Sequence, residues 1–139
     1  VIEPGPAFEA IGALLLAGID QEIMPVYVTG VVPDAVPTPP NDLRVLAYAV
    51  LFAGAGYAPA YSLAAWPLLT ELPFQVTVAG GTQQRTLNGV SLVRKVLAGV
   101  ELAGFGLISE QDLNPGPLRR DDAVVPPRHY VPMQFVLEP

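Results

Sequence analysis

Apolar and polar residues alternate most regularly between Leu72 and Val100. Phe74, Val76 and Val78 alternate with Gln75, Thr77 and Ala79, the period of a strand with one buried face. Gly80-Gly81 ends that run. Thr82 then fits an N-cap, because its hydroxyl can accept from the unpaired backbone N–H groups that open a helix. Leu87, Val90, Val93, Leu97 and Val100 recur at helical spacing with Gln84, Asn88, Ser91 and Lys95 opposite, which predicts a two-faced helix over Gln83 to Ala98. Arg94 and Lys95 near its end complement the helix dipole.

Weaker patterns flank this unit. Phe8, Ile11, Leu15 and Ile19 predict a helix over Ala7 to Ile23, entered through Pro6 and stopped by Pro25. Leu14, Leu16 and Ile23 widen its stripe to most of the circumference, which fits either a helix buried on one side by the domain's own sheet or one whose other flank also meets a neighbouring subunit. Met24 to Thr29 reads as a short edge strand. Leu43 to Phe52 is apolar in both alternating sets, as in the middle of a sheet. Ser62 to Leu69 is either a strand or a covering segment. Phe105 to Ser109 is a possible short strand and His129 to Leu137 a final one, where Pro132 implies an edge position or a strand start.

The rest of the chain is punctuation. Residues 34–42 carry prolines that cannot donate to a ladder, Gly54-Ala55-Gly56 reads as a turn, and Glu110 to Arg128 reads as a long loop. Loops of that length are usually functional or ordered by a partner. The order of elements predicts a single α+β domain over residues 1–139: a mostly antiparallel sheet of about four strands packed against two helices, with long Pro-rich loops.

Composition adds a reason to look for partners. Half of the residues, 51%, are hydrophobic and only 14% are charged, more than a domain of this size can bury internally. Excess apolar surface of that kind marks contact sites. The net charge of −6 is uneven, with seven acids against one base in residues 1–80 and six of each afterwards. An acidic half argues against tight binding to phosphate backbones but suits a wall past which nucleic acid moves. The longest apolar run, Ala10 to Ile19, is too short to span a bilayer, so no membrane segment or signal peptide is expected and the cytoplasm is the default compartment.

Candidate chemistry is sparse. There is no cysteine, and His129 is the sole histidine, with Arg128 and Tyr130 beside it rather than a carboxylate or a nucleophile. Asp121-Asp122 beside Arg119-Arg120 reads as a neutralised polar patch rather than a metal loop, which offers oxygens at regular spacing. No catalytic residue, metal or cofactor is expected. The candidate contact residues are Pro37 and Pro39 in the Pro-rich loop, Trp66 as a core or interface anchor, and Leu118, Arg119, Arg120, Asp121 and Asp122 in the late loop.

Taken together, the N-terminal helix before Pro25-Val26-Tyr27, the LAYAVLF strand, the FQVTVAGGTQQRTLNGVSLVRKVLAGV unit and the late Arg-His-Tyr entering MQFVLE resemble the tail terminator, or tail completion, proteins of long-tailed bacteriophages, particularly those infecting actinobacteria. The resemblance spans nearly the whole chain in patterns of apolar and turn residues. It implies a virion protein without enzymatic activity, assembled in the host cytoplasm. Such a protein forms a ring, typically a hexamer, on the last ring of the tail tube protein. It meets the head-completion proteins of the neck, and DNA passes through its lumen. Two other readings stay open: a head-completion, stopper or minor tail protein, and an unrelated small-molecule-binding domain or enzyme using a pocket around Trp66, Tyr48 and His129.

Overall fold

The computed structural model describes residues 4–31, 47–54, 60–61, 67–68, 71–111, 116–123 and 127–139. Two long strands carry it: β5 (Leu72–Gly80) and β9 (Arg128–Glu138), paired antiparallel from Leu72 opposite Leu137 to Gly80 opposite His129. Period-two alternation places Leu72, Phe74, Val76 and Val78 of β5 beside Leu137, Phe135, Met133 and Val131 of β9 on one buried face. There the rings of Phe74 and Phe135 stack with centroids 5.5 Å apart.

Further strands extend the sheet on both sides. Beyond β5 lie β2 (Tyr48–Phe52), antiparallel to it, and then β1 (Val26–Tyr27), parallel to β2 at the edge. Beyond β9 come β7 (Gly106–Glu110) and β6 (Glu101–Leu102), while β8 (Arg119–Asp121) pairs with the first residues of β9. The result is a seven-stranded mixed sheet, curled into a half-barrel, in the order β1-β2-β5-β9-β7-β6 with β8 beside β9. A separate pair, β3 (Ala60–Tyr61) and β4 (Pro67–Leu68), is antiparallel.

This corrects the expected fold. The two helices and the mixed α+β character stand, but a mostly antiparallel sheet of about four strands does not. The extra strands are two or three residues long, below the length at which alternation can be read. The parallel pairing of β1 with β2 depends on the return path of the chain, which periodicity does not encode. Glu110 to Arg128 is likewise not all loop, since it contains β8.

Pro132 does not mark an edge. It lies in the interior strand β9, opposite Thr77, where the second flank of β9 is between partners: β8 ends at the pairing with Tyr130 and β7 begins at Phe135. A residue without an N–H is tolerated in that gap because no ladder bond is required there.

The helices cover the buried face. α2 (Gln83–Leu97) starts as expected: Thr82 is extended at φ −131° and ψ 158°, and its hydroxyl accepts from the Arg85 N–H at 3.1 Å. Its buried stripe, however, is Thr86, Gly89, Val90, Val93 and Leu97, while Leu87 is 48% exposed. Two features rotate the helix this way. The Thr86 hydroxyl donates to the Thr82 carbonyl at 2.9 Å, so a polar residue is buried satisfied. Gly89 lets the helix approach the sheet so closely that a Cβ there would come within 2.7 Å of Val78 Cγ1.

α1 (Pro4–Gly18) buries Ala7, Ile11 and Leu15, and Gly18 packs against Val96 of α2. It stops five residues before the expected Ile23. Asp20 intervenes: its side chain accepts from the Glu22 N–H at 3.0 Å and its carbonyl from the Ile23 and Met24 N–H groups, forming a turn that competes with further helix. No helix among the described residues is long and apolar enough to cross a membrane.

Candidate functional site

The sheet's other face carries the second set of alternating residues. From β2 come Tyr48, Val50 and Phe52, from β5 Gln75, Thr77 and Ala79, and from β9 Arg128 and Tyr130; with Asp121 of β8 they line a cavity of about 420 Å³. This explains why Tyr48 to Phe52 is apolar in both sets, residues 43–46 of the expected strand lying outside the described residues. Ala49 and Leu51 belong to the helix-covered core, while Tyr48 and Val50 form a second small cluster with Ala79, flanked by Tyr27, Phe52 and Tyr130.

Most polar groups in the cavity are satisfied by one another. Gln75 donates to the Thr77 hydroxyl at 2.8 Å and accepts from Gln134 at 2.8 Å. Arg128 is the exception. It is only 9% exposed, its Nη1 donates to the Tyr48 hydroxyl at 2.6 Å, and its guanidinium carbon lies 5.9 Å from the Tyr48 ring centroid. The Tyr27 ring meets that of Tyr48 edge-on, with centroids 6.1 Å apart. Arg128 Nε has no hydrogen-bond partner among the described residues.

The residues singled out from sequence fall in different places. Pro37, Pro39 and Trp66 lie outside the described residues. Leu118 is half-buried against the main core. Arg119 and Arg120 are exposed on β8, opposite Tyr130 and His129. Asp121 and Asp122 do not act as a pair: Asp121 lines the cavity and accepts from the Ala123 N–H at 3.1 Å, whereas Asp122 is exposed and takes Arg120 Nε at 2.6 Å. Of the pocket expected around Trp66, Tyr48 and His129, Tyr48 lines the cavity and His129 does not; the His129 carbonyl lies 3.5 Å from the Thr86 hydroxyl on the helix side.

Sequence reasoning gave Arg128 no site role: it served there as a neighbour of His129 and as part of the Arg-His-Tyr feature of the resemblance. A lone arginine opening an apolar strand carries no local signal, because its burial depends on Tyr48, distant in the chain. The chain matches no protein-family model, and no curated protein matches it.

A second depression, about 330 Å³, lies along α1 between Phe8, Glu9, Gly12, Ala13, Leu16 and Val28. Ala13 and Leu16 here, and Ala17 further along α1, are exposed although the opposite side of the helix is fully buried, so α1 presents apolar residues on both sides. Ile23 and Val31 add exposed apolar side chains beyond it, 62% and 64% accessible.

Proposed function

We propose that this chain is a structural virion protein of the tail-terminator kind: a subunit that assembles with copies of itself into a ring, caps the tail tube and presents a surface to the head-completion proteins. The observation that carries the reading is the outer face of α1. An apolar helix face is normally buried against another element, yet Ala13, Leu16 and Ala17 face solvent in the single chain. Burial of that face against a neighbouring copy relieves the mismatch, and subunit interfaces that persist are more apolar than ordinary surface.

The charge distribution supports the same reading. Seven acids against one base give residues 1–80 a net charge that repels phosphates, as a passage for DNA requires. The resemblance in the N-terminal helix, the LAYAVLF strand and the strand–Gly-Gly–helix unit supplies the specific role. Mass measurement in solution tests it, with and without purified tail tubes: assembly into a closed oligomer, free or on the tubes, is expected, and a chain that stays monomeric in both conditions overturns the proposal.

A further inference from the structure

Arg128 is the one buried side-chain group without a full set of partners among the described residues. An ion taken out of water is stable only with a close counter-charge and filled hydrogen-bonding positions. What Arg128 has is a neutral acceptor, the Tyr48 hydroxyl, on Nη1 and nothing on Nε. Asp121 sits directly across from it in the β8–β9 register, but its Oδ1 accepts from the Ala123 N–H, and no ion pair joins it to Arg128.

Arg128 is also one of the residues lining a cavity that suits a specific chemistry. At about 420 Å³ the cavity falls within the size range of small-ligand sites. Its walls of Val50, Phe52, Ala79 and Tyr130 are apolar, Gln75 and Thr77 are already bonded to each other, and the carboxylate of Asp121, which also lines it, is engaged by the Ala123 N–H. A guanidinium fork matches a planar carboxylate through two parallel N–H···O bonds. A phosphate would bring more charge and more oxygens than one arginine satisfies, and it would set them against apolar walls. A single negative charge on an apolar body fits.

We propose that this cavity binds a carboxylate carried on a small apolar body, with Arg128 receiving the carboxylate, Tyr48 holding the guanidinium in place and the Val50–Phe52–Tyr130 wall covering the body. The carboxylate comes either from a free organic acid or from an acidic side chain that a neighbouring copy inserts.

Phenylacetate and its neutral isostere phenylacetamide test this on the full chain, read by thermal unfolding and by methyl NMR at Val50 and Ala79. Phenylacetate is expected to raise the unfolding midpoint with concentration and to shift those methyl signals, and phenylacetamide to do neither. R128K, which keeps the charge but loses the fork, is expected to weaken binding about tenfold, a difference that a lost charge-assisted hydrogen bond supplies. Y48F keeps the guanidinium intact and serves if R128K does not fold; binding several-fold weaker is expected. If phenylacetate has no effect but R128K abolishes self-association with the unfolding midpoint preserved, the carboxylate comes from a neighbouring copy. Equal response to acid and amide overturns the site, as does absence of binding together with unchanged assembly in R128K.

Discussion

Arg94 on α2 grips Glu110 on β7 with two nearly parallel bonds, Nε to Oε2 at 2.8 Å and Nη2 to Oε1 at 3.0 Å. The pair is asymmetric, since the Glu110 side chain is 4% exposed and that of Arg94 is 42% exposed. The hydrogen bond to Glu110 raises the Arg94 pKa above its ordinary value, partial burial opposes this, and the Glu110 charge adds to it. A raised folded-state pKa gives stability that is fully present below the unfolded value and lost only as pH rises past the folded one. For an arginine that window lies in strong alkali, so Arg94 keeps its charge through ordinary pH.

Substitution is therefore the test of this link. R94A leaves Glu110 buried without its partner and is expected to cost about 1–3 kcal/mol, less than for a fully buried pair because water screens the exposed arginine. A double-mutant cycle with E110Q, measured by urea unfolding, should give a coupling of the same sign. A coupling near zero would mean that the two residues are joined only by proximity.

Gly89 sets the distance between α2 and the sheet. Alanine is the better helix former by about 1 kcal/mol, but its Cβ would lie 2.7 Å from Val78 Cγ1 and 2.9 Å from Met24 Sδ. Met24 can yield, whereas Val78 is β-branched and fully buried in the central strand. Overpacking of this kind costs about 1–3 kcal/mol, so G89A is expected to be destabilising by roughly 1 kcal/mol net. A raised denaturation midpoint in G89A would show that α2 can retreat from β5.

The helix cap is a smaller and cleaner case. T82A removes the hydroxyl that accepts from the Arg85 N–H and is expected to cost about 1 kcal/mol. T82S keeps the acceptor and should stay close to wild type. Equal losses in the two variants, read by denaturant unfolding, would assign the role of Thr82 to its methyl group instead.

Leu16 separates folding from assembly. It is 42% exposed on the outer side of α1, next to the fully buried Leu15. L16E is expected to leave the unfolding free energy within about 0.5 kcal/mol of wild type, as for other surface changes, and to prevent self-association. L15A should do the opposite, lowering stability by about 2–5 kcal/mol through a core cavity. Sedimentation of both variants checks the pair of outcomes.

Much of the central unit was legible in the residues themselves. The β5 alternation, the Thr82 cap and the α2 span are local in origin, and the structure places them within a residue or two of expectation. Tertiary packing decided what local pattern could not. Leu87 looked like core because leucine dominates an apolar stripe, but Thr86 and Gly89 take the inner positions, one by bonding its hydroxyl and the other by having no side chain. Asp20 ended α1 early through its own side chain, a competition that apolar spacing over Ala7 to Ile23 hides. The cavity was hidden for a further reason: it joins Tyr48 to Arg128 across three strands, and only strand order brings them together.

The ring reading is tested most directly by electron cryomicroscopy of the wild-type protein mixed with tail tubes. A closed ring of copies at one tube end, with the outer face of α1 buried between neighbouring subunits, is the expected image. Bare tube ends beside a free monomer would contradict it.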